Sequence, residues 1–372
     1  MNVPVLEVGG APYDLGLEHG KAMARQIAAY AAERVALAGT SGWTGRDSTR
    51  AEVLAVAAAC LERHADYVPR LVEELRGVAA GSGVALEELL IAGGFTDFVD
   101  TVASWPRGAG RGSAGNDPAG NDPAGYDPAG YDPAPGTAGA AGHLEHDTDD
   151  CTAFLVPASR LVDAAGRTGV GGALAQTWDM HEGSAEHLLL LRGRPHDAPD
   201  FVVYTTAGCL GMIGMNEAGL CVGINNLLAA DGRVGVTWPF AVRAMLEQET
   251  TAAALRVLLE TPLAGGHNYL VMDASGAGAN VEAMPTRQHV TLLEEVPLVH
   301  ANHCLYPETK SVEREREAAS QANSEARQAD AERLLDRQAL SVTDLQAVTA
   351  DQAAICRVGT APSFVGTCGA VV

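Results

Sequence analysis

Cys151 stands in the stretch HLEHDTDDCTAFLVP (His143 to Pro157), directly after two aspartates and at the head of an apolar, strand-like run. A thiol at this place has three chemical readings. Most cysteines act as small buried hydrophobes, and the head of a strand suits that role. If the chain is cut before Cys151, the residue gains a free α-amine with a pKa of about 7.7–8.0 beside a thiol of about 8.5, so the amine can take the thiol proton. Nucleophile and base then belong to one residue, and no separate histidine is needed. The third reading gathers His143, His146, Asp147 and Cys151 as metal ligands on the strength of the His-x2-His spacing. A second ligand set is not evident: HEGSAEH, His181 to His187, reads as a polar loop. No P-loop and no GxSxG occurs.

Further polar residues close or follow apolar runs: Asp179 in QTWDMHEG, Asn216 and Asn225 in GMIGMNEAGLCVGINN, Asn302 in LVHANHCL and Arg357 in AAICRVG. A carboxylate can orient a protonated amine, and an asparagine amide can donate to an oxyanion. Each residue alone is ordinary turn chemistry. Only the fold can bring them together.

The elements that must do so fall into two textures. Apolar spacings of three and four predict a helix from about Tyr13 to Leu37, a helical region from Asp47 to Ala80, and a turn and short helix in SGVALEELLIAGGF. From Pro106 to Gly142 the chain is Gly, Ala, Pro, Asp and Asn, with AG(N/Y)DP repeated four times. Such a segment buries too little apolar surface to offset its ordering entropy and reads as a flexible linker. After Cys151 come short strand candidates: CTAFLVP, VGGALAQTW, EHLLLLRG, DFVVYTT, LGMIGMN, LCVGINN, NYLVMDA, ANVEAMP, HVTLLEE and PLVHAN. Their hairpin-like spacing predicts antiparallel sheet. Helices are expected at Pro239 to Glu249, Thr251 to Glu260 and Pro307 to Gln338, and from Ser341, where Ser341 and Asp344 form a capping-box start. Helices first, then meandering strands with helices inserted, is an α+β pattern. The division is 1–105 as an N-terminal helical part, 106–150 as a flexible linker ending at the junction before Cys151, and 151–372 as a sheet-rich core.

Composition narrows the classes. The chain has 372 residues, 47% hydrophobic and 19% charged, which supports a large core and excludes global disorder. A net charge of -22 argues against nucleic acid and anionic membrane as partners. No apolar run of 18 residues is present, so no transmembrane helix is expected. MNVPVLEVGGAPYDLG has neither a basic n-region nor an apolar h-region, so no secretory signal is expected. The seven cysteines form an odd set without CxxC spacing, which suits a reducing cytoplasm better than a disulfide framework or zinc site.

Taken in order, CTAFLVP, ALAQTWDM, TTAGCLGMIGMNEAGLCVGINNL, VRAMLEQETTAAALRVLLE, NYLVMDASG, VEAMP and LVHANHCL resemble the acyl-coenzyme A:6-aminopenicillanate acyltransferase (isopenicillin N acyltransferase) family of N-terminal-nucleophile hydrolases. ICR and GTCGAVV further on, and GGAPYDLGLEHGKAMARQI and PRLVEELRGVAAGSGVALEELL before the linker, extend the likeness to nearly everything but the linker. The resemblance implies a four-layer αββα fold, two antiparallel sheets between helices. It implies a precursor that cuts itself between Asp150 and Cys151 into α and β chains. It also implies Cys151 as nucleophile, Asp179 as the carboxylate near the new amine and Asn302 as oxyanion donor. Asn225 and Thr152 would be pocket groups, and Arg357 a structural or substrate-contacting cation. The activity implied is transfer of an acyl group from a small or peptide-like amide or thioester to an amine or to water. No cofactor is implied, although acyl-coenzyme A would serve as a co-substrate. Departures are Asp150 where the family most often has Gly, Thr177 where Asn is usual, and a chain end soon after Arg357, which implies either a sheet completed differently or a shortened C-terminus. Two rival readings remain: an unprocessed relative that only binds, and a metal hydrolase using His143, His146 and Cys151.

Overall fold

The structure, a computed structural model of the chain, describes residues 3–105, 151–163, 165–168, 171–359 and 365–372. The linker 106–150, with His143, His146, Asp147 and Asp150, lies outside the described residues. Strand β1 (Val5–Gly10) is followed by six helices: α1 (Pro12–Ala38), α2 (Ser41–Thr44), α3 (Arg50–Tyr67), α4 (Pro69–Ser82), α5 (Leu86–Gly93) and α6 (Phe95–Ser104). After Cys151 come β2 (Ala153–Val156), β3 (Ala173–His181), β4 (Leu188–Pro195), β5 (Phe201–Thr206), β6 (Ile213–Asn216) and β7 (Cys221–Leu227). Helices α7 (Trp238–Leu246) and α8 (Thr251–Glu260) precede β8 (Gly266–Met272), β9 (Gly278–Ala283), β10 (Gln288–Leu292) and β11 (Leu298–His300). Helices α9 (Pro307–Lys310), α10 (Ala318–Leu335) and α11 (Val342–Thr349), then β12 (Val365–Val371), complete the described chain.

These elements make four layers. An eight-stranded sheet runs β1-β4-β5-β6-β7-β8-β9-β10 and a four-stranded sheet runs β11-β2-β3-β12. The sheets pack through β2 and β3 against β7 and β8, burying Ala153, Leu155, Leu174, Leu270 and Met272 between them. Helices α1, α7 and α8 cover the outer face of the larger sheet, and α10 and α11 that of the smaller. The αββα sandwich implied by the resemblance is therefore present.

Three features differ from expectation. Val5–Gly10 is a strand, and it pairs parallel with β4, Val5 opposite Leu190 through Gly10 opposite Pro195, so the larger sheet is mixed rather than wholly antiparallel. The helical region expected over Asp47–Ala80 is two helices, because Pro69 lacks the N–H to continue one and instead sits at the start of α4. The helix expected over Pro307–Gln338 likewise divides into α9 and α10. The capping box at Ser341 and Asp344 forms as the sequence predicts.

Helices α1 and α4 approach closely through glycines. A Cβ on Gly16 would lie 1.8 Å from the Glu74 carbonyl oxygen, and one on Gly77 2.1 Å from that of Tyr13. Only hydrogen fits at these crossings, and α1 is thereby fixed over the sheet edge. Strand parity then sorts the site. Successive residues of a strand face opposite sides. In β2, Ala153 and Leu155 face the larger sheet while Phe154 and Val156 pack with Ala331, Leu335, Leu345 and Val348 of α10 and α11.

Candidate active site

The same alternation turns the Cys151 thiol inward and the Thr152 side chain toward α10. Both residues are buried. The Asp179 N–H donates to Cys151 Sγ over 3.5 Å. Asp179 lies on β3, which runs antiparallel beside β2. Thr177, two residues earlier on the same face, holds Thr152 from both sides: its Oγ1 accepts from Thr152 N–H at 3.1 Å, and its own N–H donates to the Thr152 carbonyl at 2.9 Å.

Arg327 of α10 is the organising cation, and sequence reasoning did not single it out. It is fully buried. Its Nη1 donates to the Cys151 carbonyl at 2.8 Å and to Thr152 Oγ1 at 3.0 Å, its Nη2 to Asn302 Oδ1 at 3.0 Å, and its Nε to Asn323 Oδ1 at 2.8 Å. One guanidinium fork thus ties Cys151, its neighbour Thr152 and Asn302 together. With its oxygen held by Arg327, the Asn302 amide must direct its nitrogen the other way, where it donates to the Asn226 carbonyl at 3.2 Å. Ser324, one turn before Arg327, accepts from Asn302 N–H at 2.9 Å. On α10, the polar Ser320, Ser324, Arg327 and Gln328 share one buried helical stripe with Ala331 and Leu335.

The Asp179 carboxyl is buried, and neither oxygen has a protein partner of full hydrogen-bond geometry. Burial raises its pKa from 3.8 to about 7. The Thr367 hydroxyl, the Arg327 charge and the Thr177 hydroxyl oppose the rise without cancelling it. Thr367 sits directly across from Asp179 on β12. Arg357 acts here through its backbone: its N–H donates to Thr367 Oγ1 at 2.9 Å and its carbonyl accepts from Thr367 N–H at 3.0 Å.

Asn225 and Asn226 divide by parity. Asn225 faces the smaller sheet, where its Nδ2 donates to the Cys151 carbonyl at 3.2 Å and its Oδ1 meets Asn268 at 3.4 Å. Asn226, on the other face, lines a cavity with Cys151, Trp178, Met180, Ile224, Tyr30 and Phe95. Its Oδ1 is buried without a partner. The cavity is only about 30 Å³ in the full-length chain, against the ~300 Å³ or more of a site holding a small-molecule ligand. Asn216 takes no part. Its side chain closes a turn, donating to the Leu246 and Gln248 carbonyls at 2.9 and 2.6 Å and accepting from Leu220 N–H at 3.0 Å. Among the described residues no group of three or more His, Cys, Asp or Glu could hold a metal, and no helix is long and apolar enough to cross a membrane.

The site thus places a buried thiol at the head of an inner strand of an αββα sandwich, beside a buried carboxyl and an amide turned by a guanidinium. The family model for acyl-coenzyme A:6-aminopenicillanic acid acyl-transferase matches residues 166–365, more than half of the chain, and the chain belongs to that family. The match spans Asp179, Asn225, Asn302, Arg327 and Arg357 and begins after Cys151. The 40 kDa form of acyl-coenzyme A:6-aminopenicillanic-acid-acyltransferase from Emericella nidulans is 26% identical over 145 residues, 37% of this chain and 40% of that protein. Among solved structures, the N-acylethanolamine-hydrolyzing acid amidase ortholog of Caenorhabditis elegans is similar at a TM-score of 0.39 and 13% identity, covering 58% of this chain and 89% of its own. Penicillin V acylase from Agrobacterium tumefaciens is similar at 0.21 and 18%, covering 39% and 43%.

Proposed function

We propose that this chain is a self-processing cysteine acyltransferase or amidohydrolase. It cuts itself between Asp150 and Cys151 and then carries its acyl group on the Cys151 thiol. The observation that supports this most is the Asp179 carboxyl, buried next to Cys151 with neither oxygen in full hydrogen-bond geometry to a protein group. An α-ammonium released at Cys151 would supply the missing donor and charge, and would return the carboxyl to its ionised form.

In the first step the Cys151 sulfur attacks the Asp150 carbonyl carbon. The amide nitrogen leaves as the α-amine, and water hydrolyses the resulting thioester to free the Asp150 carboxylate. In the working enzyme that amine takes the thiol proton, and the thiolate adds to the carbonyl carbon of an amide or thioester donor. One Asn302 N–H is engaged by the Asn226 carbonyl, and the second is left to donate to the tetrahedral oxyanion. Arg327 keeps the amide from flipping. Collapse expels the leaving amine or thiol with the proton from the α-ammonium, and an amine or water then takes the acyl group from sulfur. The aromatic and aliphatic cavity wall favours an apolar acyl group. Intact mass spectrometry of the processed protein with an activated ester and with acyl-coenzyme A tests this. An acyl adduct on the Cys151 fragment, discharged faster when an amine is added, is expected. A processed protein that forms no adduct at Cys151 with any donor contradicts it.

A further inference from the structure

The cavity beside Cys151 has a polar wall that the mechanism above leaves unused. Thr96 and His267 line it together with Cys151 and Asn226. Thr96 Oγ1 lies 3.1 Å from His267 Nε2, and His267 Nδ1 faces Asp97 Oδ1 at 3.3 Å without full hydrogen-bond geometry, neither of these two atoms having another partner. Thr96 is 9% exposed, Asp97 and His267 1% each. Trp238 holds both partners: its ring lies against the imidazole with centroids 5.4 Å apart and planes at 33°, and its backbone N–H donates to the second Asp97 oxygen at 2.6 Å.

The arrangement sets the proton positions. A carboxylate facing Nδ1 favours the tautomer with hydrogen there, so Nε2 accepts from the Thr96 hydroxyl. The lone pairs of Thr96 Oγ1 then remain for a donor in the cavity. The other buried carboxylate–imidazole pair shows what a closed structural version looks like. His300 spends Nε2 on Glu282 at 2.8 Å and Nδ1 on the Ala301 carbonyl at 2.8 Å, while the Glu282 carboxylate also takes the Leu305 N–H at 2.6 Å and the Thr309 hydroxyl. That pair fixes the loop carrying Asn302. In the Thr96–His267–Asp97 chain the last member is a hydroxyl at the wall of the nucleophile's own cavity.

We propose that Thr96, His267 and Asp97 form a proton relay for deacylation, a role that rests on the acyl-enzyme at Cys151 proposed above. As water or an amine bonds to the thioester carbon, its proton passes to Thr96 Oγ1 and the threonine proton passes to His267 Nε2. Asp97 opposes the imidazolium charge. The tetrahedral adduct expels the Cys151 thiolate, and the proton returns from His267 through Thr96 to the sulfur or its α-amine. Labour is thus divided: the α-amine serves the thiol, and the relay serves the acceptor. Thr96 and Asp97 precede the junction and His267 follows it, so the piece before Cys151 contributes a catalytic group after the cut.

The test is rapid mixing of the processed full chain with p-nitrophenyl butyrate, reading p-nitrophenol release and the intact mass of the Cys151 fragment. Thr96→Val keeps the side-chain shape and removes the hydroxyl. It is expected to keep the acylation rate within about threefold, lower steady-state turnover on the order of 10²-fold, and accumulate the butyryl adduct. Thr96→Ser is expected to restore turnover, and His267→Gln to reproduce the valine variant. Acylation and turnover falling in the same proportion, or turnover unchanged in Thr96→Val, would overturn the relay. No adduct at Cys151 in the unmodified protein would instead overturn the acyl-enzyme, and the relay with it.

Discussion

Two sets of polar groups meet at Cys151 and follow opposite rules. On the side of α10 the polar contacts around the Cys151 backbone are paired. The Cys151 carbonyl accepts from Arg327 and Asn225, Thr152 is held by Thr177 and Arg327, and Asn302 by Arg327 and Ser324. On the side of the thiol and its cavity, both Asp179 oxygens and Asn226 Oδ1 are buried without a partner of full geometry. A stranded buried polar atom costs about 1–3 kcal/mol. Folded chains keep few of them, and functional sites are where they collect. The saturated side is scaffold that fixes backbone and amide orientation. In the mechanism proposed above, the unsaturated side receives an amine, an acyl group and an acceptor.

That contrast can be broken at each end. Arg327→Met should cause the largest loss of stability, since it removes the guanidinium donor from Thr152, Asn302 and Asn323 at once and leaves the Cys151 carbonyl to Asn225 alone. A fall of about 3 kcal/mol in urea-measured stability is expected, whereas a change under 1 kcal/mol would remove Arg327 from its organising place. Asn302→Ala should leave the fold intact and lower turnover ~10²–10³-fold, read as kcat with the amount of processed chain held equal. A change in KM alone would mean that Asn302 only binds.

Asp179 makes an opposite prediction about stability. Its folded pKa of about 7 lies above the ordinary 3.8, so between those values the folded chain holds a proton that the unfolded chain has lost. The stability of uncut Cys151→Ala protein should therefore fall as pH rises from about 4 to about 7, then level off. Asp100, buried in α6 and also raised to about 7 by desolvation, contributes the same trend. Adding Asp179→Asn should remove the Asp179 share and leave the rest. An unchanged pH slope in urea titrations of the double variant would show that Asp179 is already stabilised as an anion. The smallest effect is expected for Thr177→Val, which leaves Thr152 N–H without its acceptor and should cost roughly 1–2 kcal/mol.

The residues proposed to react were legible because each breaks a pattern. Cys151 marks a change of texture, and Asp179 and Asn302 each stand among apolar strand residues. The scaffold was less legible. AASQANSEARQADAERLL has the composition of a solvent-facing helix, and only its packing reveals that Ser324, Arg327 and Gln328 form the buried stripe. VLEVGG is short and pairs parallel with a strand some 180 residues away, a partner that no local pattern announces. Asn225 and Asn226 are adjacent and identical, and only strand register tells which meets the Cys151 carbonyl and which lines the cavity. A sharper signal was present in FTDFVDTVAS, where Asp97 and Asp100 recur at helical spacing inside an apolar run. Both prove to be buried anchors, Asp97 to the Trp238 N–H and Asp100 to the Ala229 and Gly266 N–H groups.

Intact mass and N-terminal sequencing of freshly purified protein test the central claim most directly. The account predicts two chains, the second beginning at Cys151, and a single uncut chain for Cys151→Ala. An unmodified protein that stays uncut on prolonged incubation at neutral pH, or one cut equally in Cys151→Ala, would contradict it.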